Sequence, residues 1–502
     1  MIMKKYILAF CAFSLLVSSC GEWLDVRGEN IQKEKNQYET YKGFRDALTG
    51  CYMTMSDNSI YGKNLTMTHI ENLADSWFFN ESFKDNVEPQ YSLSFHKYTT
   101  DAGRASIKSM YAGLFTTISS ANVIIKNIAE NGGNIGDEKI CNMIHGEALA
   151  IRAYCQFDVL RMFGQLPKDG TKKVLLPYSY TTSIDEMPSY YDYDAYVANI
   201  ISDVTTAENL LKESDPIMSS TFTALNNTSN VNDIFLAYRQ ARLNYWAVRA
   251  LHARIDMYIG NTAEAHDIAL QIINAKNADG SNVISLSGVS DLKAGYNALP
   301  NECLFYISKY DVNSYANNDL IGGRSVQGRD FHYLLTNNML NDLFASLPNS
   351  TASHNRYLYL WNRNIKNITS QTTPALKKYW YDESKASTHN LMTQYQIVPM
   401  IRLSEMYLIA MESSNSLEEV LSLYSTYMSD REFTLYTPFT SLDEVKAEIP
   451  NEYQREFIGE GQMFYVYKRL AAKKMRWNSE QIKEDDYILP LPSSEYNPNN
   501  KN

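Results

Sequence analysis

The chain has 502 residues, of which 46 are basic and 57 acidic, for a net charge of −11. Such an acidic balance excludes nucleic acid and anionic lipid as main partners, since both are held by clustered lysine and arginine. A composition of 44% hydrophobic and 21% charged residues is that of a folded protein, and its length exceeds what one compact core usually serves, so two regions or an elongated helical array are expected.

The chain opens on Lys4-Lys5, an apolar run from Tyr6 to Val17, and Ser18-Ser19-Cys20. A positive flank, a short apolar stretch and small residues at its end have the form of a secretory signal. The run is too short for a hydrocarbon core that needs about 20 residues of helix. Val17-Ser18-Ser19-Cys20 also resembles the bacterial lipobox, which implies cleavage before Cys20 and acylation of its thiol. Several acyl chains on one residue would anchor the protein stably, where a single chain holds only marginally. Residues 1–19 are therefore expected to be a lipoprotein signal, and residues 20–502 the mature domain.

Beyond the signal, helical periodicity dominates. In 38–55, Phe44, Leu48, Cys51 and Tyr52 fall on one stripe; 106–130 repeats the pattern with Ile107, Met110, Leu114, Ile118 and Ala121. A third helix is expected over 138–163, stopped by Gly164 and Pro167, and a fourth over 190–213. Residues 240–273 carry alanines at 247, 250, 253, 263, 265 and 269, with Gly260-Asn261 between the two halves. Small residues let two helices approach closely, a Gly-Asn turn reverses the chain, and the unit has the tetratricopeptide period of about 34 residues. Helical signal returns at 402–429 and 441–470. The expected fold is mainly α, a tetratricopeptide-like superhelix of hairpins with few short strands, one of them near 303–309. Segments 56–105 and 277–400 break the pattern and are expected to be the loop-rich ligand face.

No catalytic constellation emerges. Gly323-x-Ser325-x-Gln327 lacks the second glycine of a nucleophile elbow. "GEG" at 459–461 lacks the downstream glycine of a dinucleotide fingerprint and falls in a region expected to be helical. The eight histidines are scattered without H-E-x-x-H spacing, though His252 and His266 could face each other within the repeat. Cys51, Cys141, Cys155 and Cys303 show no C-x-x-C spacing and are expected to be small buried groups, so no cofactor and no metal site is expected.

"IRLSEMYLIAME" (401–412), "NEYQREFIGEGQMFYVYKRL" (451–470) and "ILPLPSSEYNPNN" (488–500) occur in an order that resembles the SusD/RagB family of surface lipoproteins. "GEALAIRAYCQFDVLRMFGQLP" (146–167) is similar to the family's central helix, and Cys20 followed by "EWLDV" to its lipidated start. Where the family carries Arg and Asp after Gly-Glu-Gly, this chain has Met463 and Val466, an ion pair exchanged for apolar packing. The resemblance implies a non-enzymatic glycan-binding lipoprotein on the outer face of the outer membrane, which captures oligosaccharides and delivers them to a SusC-like TonB-dependent transporter. Peptide binding, or mainly gating of the transporter, is the alternative, and glycoside hydrolysis ranks last.

The chain holds 37 Tyr, 19 Phe and 6 Trp. Sugars offer apolar C–H faces to such rings and hydroxyl edges to Asn, Asp and Arg. The candidate ligand residues are Trp77, Phe78, Asn80, Tyr296, Tyr315 and Asn318, with Trp361 and Trp380 behind them. Core packing is the competing role for each ring.

Overall fold

The computed structural model describes residues 36–493 and 495, apart from 80–87, 184, 322–324, 327–328, 331–332, 346–353, 367–371, 383–394 and 432–438. Cys20 and Asn80 lie outside the described residues.

The first hairpin joins α1 (Tyr41–Met55) to α2 (Asp101–Asn131). Each start is capped: the Thr40 and Thr100 hydroxyls accept the N–H groups of Gly43 and Gly103 at 3.2 and 3.0 Å, satisfying donors that a helix terminus leaves open. The second pairs α3 (Glu138–Phe163), capped by Asp137 and ended at Gly164, with α4 (Tyr193–Ser214). The third is α5 (Tyr245–Ile259) and α6 (Thr262–Ile273), reversed at Gly260 with φ 94°, a left-handed conformation that costs glycine little. After α7 (Asn337–Ala345) come α8 (Leu403–Ser413) and α9 (Leu417–Ser429), then α10 (Leu442–Phe457) and α11 (Met463–Arg469). From α1 to α6 each helix packs on the next, α6 continues onto α8, and α8 takes α9 and α10. This is the mainly helical, tetratricopeptide-like stack that the spacing of apolar residues predicts.

The helix α3 is enclosed along almost its whole length from Met143 onward. Its buried charged residues, Glu147, Arg152, Asp158 and Arg161, are paired, as burial of charge requires. Arg152 makes a two-pronged contact with Asp203 at 2.6 and 2.7 Å, and Glu147 holds Arg239 at 2.7 Å.

Strands are short and paired in twos: β1 (Leu176–Tyr178) with β2 (Ser189–Tyr191), β3 (Cys303–Ser308) with β6 (Ile397–Arg402), and β4 (Trp361–Lys366) with β5 (Thr372–Leu376), all antiparallel. Of the segments expected to be irregular, 277–400 holds β3, β4, β5 and most of β6, and 56–105 holds the short helices His69–Leu73 and Pro89–Ser94, so their described parts include structured connections.

Two expectations are corrected. The region 402–429 is two helices parted at Ser414–Ser416, where Ser416 caps the second. The region 441–470 is broken at 458–462, because Gly459 and Gly461 take φ of 80° and 73°, outside helical space. Cys51, Cys155 and Cys303 are buried free thiols and Cys141 is half-buried. Met463 and Val466 are both buried in the core, as expected of apolar replacements.

Candidate functional site

The motif residues in the C-terminal half form a buried ionic lattice. Arg402, at the end of β6, donates to Glu456 at 2.6 Å and to Glu460 at 2.8 and 2.9 Å, and also contacts Glu302. Arg431 donates to Glu456 at 2.8 and 3.0 Å, Arg455 to Glu452 at 2.7 Å, and Lys378 to Glu460 at 2.5 Å. Burial works against ionising Glu456, but the Arg431, Arg402 and Arg356 guanidiniums beside it hold its carboxyl well below the usual range. These charges are sealed from solvent, so they fasten the end of β6, the chain after α9 and α10 together and are not a ligand surface.

Gly459 and Gly461 connect that lattice to the buried Glu71. Their N–H groups donate to the Glu71 carboxylate at 2.8 and 2.9 Å. A side chain at position 461 would meet the Leu65 carbonyl at 2.2 Å, so only glycine allows this approach. Burial raises the Glu71 carboxyl to about 7, with the two glycine amides offsetting part of that rise. Glu71 sits in the one-turn helix His69–Leu73, and docking it fixes where the chain leaves that helix.

What leaves is Asp75-Ser76-Trp77-Phe78-Phe79. Asp75 is itself left-handed, with φ 52°, a conformation in which Asp and Asn are enriched. This segment forms one wall of a cavity of about 350 Å³. Trp77, Phe78 and Phe79 are joined there by Ser94 and Phe95, by Thr336 and Met339 at the start of α7, and by Trp477, Asn478 and Ser479. Phe79 and Phe95 are backed by Tyr91, with ring centroids 5.1 to 5.8 Å apart. The Trp477 indole is half-buried, and its N–H donates to Asp342 Oδ2 at 3.0 Å. Arg476, the residue before it, holds the same carboxylate at 3.0 Å. The result is a cleft with flat walls, fixed at their edges and bordered by small polar groups.

The candidate residues separate into groups. Phe78 is 39% exposed in this cleft. Trp77 lines it too, but from beneath: only 1% of its surface is exposed, its indole N–H donates to the Met67 carbonyl at 2.9 Å, and Tyr333 packs against its ring. It forms the floor of the cleft. Tyr296, Tyr315 and Asn318 do not line this cavity. Tyr296 packs on Tyr395, at a centroid distance of 5.0 Å. Tyr315 accepts from Asn58 at 2.6 Å and lies near the Lys63 and Lys309 ammoniums, while Asn318 is exposed and donates to Ser314 at 3.3 Å. Trp361 is buried.

Asp75, Phe79, Phe95 and Trp477 escaped the sequence reading. The signal for Trp477 was a tryptophan among polar residues in "KKMRWNSE", past the last helix. His252 and His266 do not face one another: the first bonds Glu208 and the second Glu419, both at 2.9 Å. No group of three or more metal-ligating side chains occurs among the described residues.

The fold is thus a stack of helical hairpins that carries an aromatic cleft on its connecting segments. Residues 22–231 match a family model described as "Starch-binding associating with outer membrane", and residues 352–502 match the model of the SusD family. The chain belongs to the SusD/RagB family. Two SusD-like proteins of Formosa agariphila, P25 and P2, are 23% and 24% identical over 51% and 42% of this chain; the matches span 43% and 39% of those relatives' own length. Among solved structures, a SusD superfamily protein from Bacteroides thetaiotaomicron superposes with a TM-score of 0.67 at 20% identity, over 91% of this chain and 97% of that one. One from Bacteroides vulgatus gives 0.66 at 22%, over 91% and 96%. A laminarin-binding SusD-like protein gives 0.58 at 16%, over 90% and 96%. At these identities the likeness establishes the fold.

Proposed function

We propose that this protein captures oligosaccharides at the cell surface in the cleft between Trp477 and the 75–79 segment, without covalent chemistry, and delivers them to a SusC-like TonB-dependent transporter. The observation that carries the reading is the cleft itself: about 350 Å³, with Phe78, Phe79, Phe95 and an edge-anchored Trp477 around it and hydroxyl and amide groups at its border. Flat apolar faces with polar edges match the two-sided chemistry of a sugar ring. The laminarin-binding relative of the same fold supports this assignment.

The anchor of the reading is Cys20, acylated after removal of residues 1–19, which would hold the chain on the outer face of the outer membrane. Among the described residues no helix is long and apolar enough to cross a membrane, and the matched family model is described as associating with the outer membrane.

Calorimetry with laminari-oligosaccharides and an array of other glycans tests the capture. Binding that disappears in Trp477→Ala, in a protein with an unchanged melting temperature, is the expected result. Binding to peptides and to no glycan would replace this reading with the alternative one. Fractionation of cells that express Cys20→Ala tests the anchor, with release from the membrane expected. Co-purification of the transporter with the tagged, lipidated chain tests the partnership.

A further inference from the structure

The walls of the cleft are aromatic, and among the described residues Asp75 is the one ionisable side chain that lines it. Its carboxyl has no hydrogen bond or ion pair to another described residue, and burial pushes it up to about 7. The Ser94 hydroxyl, 3% exposed, lines the same space and also lacks a partner among the described residues. Lys97 and Arg476, beside Phe95 and Trp477, are engaged elsewhere. Lys97 donates to the Tyr91 hydroxyl at 2.5 Å, and Arg476 donates to Asp342.

Building on the assignment of this cleft to glycans, we propose that it selects by charge: it admits uncharged or amine-bearing sugar units, turns away uronate- and sulfate-bearing ones, and uses Asp75 as the specificity-determining residue. A carboxylate or sulfate that enters must shed water, and no guanidinium or ammonium among the described lining residues replaces it. It also meets a like charge whenever Asp75 is ionised, which is discrimination by repulsion. A neutral sugar loses nothing of the kind. Its hydroxyls can donate to or accept from the Asp75 carboxyl and the Ser94 hydroxyl, groups that otherwise stay unpaired in a desolvated place. An amine gains the carboxylate and the faces of the surrounding rings.

The test applies the full chain to an array of matched neutral, amine-bearing, uronate-bearing and sulfated oligosaccharides, with Trp477→Ala as the cleft-defective control. Binding lost in the control is expected for neutral and amine-bearing members, with acidic counterparts at least tenfold weaker. An acidic glycan held as tightly as its neutral counterpart, and lost in Trp477→Ala, overturns charge selection and leaves glycan capture standing. Glycan binding that survives Trp477→Ala moves the site elsewhere and overturns this inference. Binding to no glycan overturns both readings.

Asp75→Asn keeps a residue that tolerates the left-handed backbone and is expected to narrow the neutral-to-sulfated ratio at least tenfold. An unchanged ratio in a folded variant removes Asp75 from the role. Asn478→Lys, at the half-buried border of the cleft, supplies the missing cation without touching the core. It should narrow the ratio at least threefold, and an unchanged ratio there equally overturns the proposal.

Discussion

The indole N–H of Trp477 donates to Asp342 Oδ2 at 3.0 Å, and so ties the segment that follows the last helix to α7. The ring can then present a face without rotating, and little conformational freedom is left to lose on binding. Trp477→Ala is expected to weaken glycan binding tenfold or more, or about 1.4 kcal/mol. Asp342→Ala, which leaves the ring but frees its edge, should weaken it about threefold. Calorimetry measures both, and an Asp342→Ala affinity equal to wild type would show that the hydrogen bond does not matter for presentation.

The Gly459–Gly461 turn has to be left-handed for its amides to reach Glu71. Gly461→Ala adds a Cβ that would meet the Leu65 carbonyl at 2.2 Å, on a backbone that L-residues avoid. A loss of at least about 2 kcal/mol in urea unfolding is expected from strain and clash together. Because Glu71 positions the 75–79 segment, glycan affinity should fall in the same variant. A stable Gly461→Ala protein with full affinity would disprove that linkage.

Arg402 holds carboxylates of Glu302, Glu456 and Glu460 in a region closed to water. Arg402→Ala removes the cation and strands the anions, a change that costs roughly 3–5 kcal/mol in buried pairs. The urea midpoint should drop accordingly. A change under about 1 kcal/mol would mean that water reaches the lattice and screens it.

Stability should depend on pH with two opposing limbs. Burial raises the Glu71 carboxyl to about 7 from 4.5, so the folded state binds its proton more tightly than the unfolded state does. Its contribution is complete below pH 4.5 and is lost as pH rises toward 7, roughly 3 kcal/mol for one group. Glu452 runs the other way. Burial works against its charge, but the Arg356 and Arg455 guanidiniums take its carboxyl down to about 2. Its contribution is present above pH 4.5 and lost on acidification toward pH 2. Melting temperatures of wild type and Glu71→Gln between pH 4.5 and 8 check the first limb, with a smaller decline expected in the variant. Parallel curves would exclude Glu71 as its source.

Much of the helical scaffold was legible because an enclosed helix repeats its apolar residues every three or four positions. Asp137 and Gly164 mark the ends of α3 as local signals should. The break at Gly459–Gly461 was not legible, because the partner that requires it, Glu71, lies 388 and 390 residues away. That Trp77 lies beneath the cleft was not legible either, since a tryptophan's neighbours in sequence do not say which side of it meets solvent. Trp477 was missed because its value depends on Asp342, which α7 carries into place.

From its residues alone the chain determined its helical order, its capped and glycine-ended boundaries and its family motifs, because these depend on spacing and backbone preference within a few residues. Which aromatic rings meet in one cleft, which charges are sealed away and where Asp75 stands without a counter-charge were decided only in three dimensions. Those features join side chains hundreds of positions apart, and burial, not sequence, sets what each of them can do.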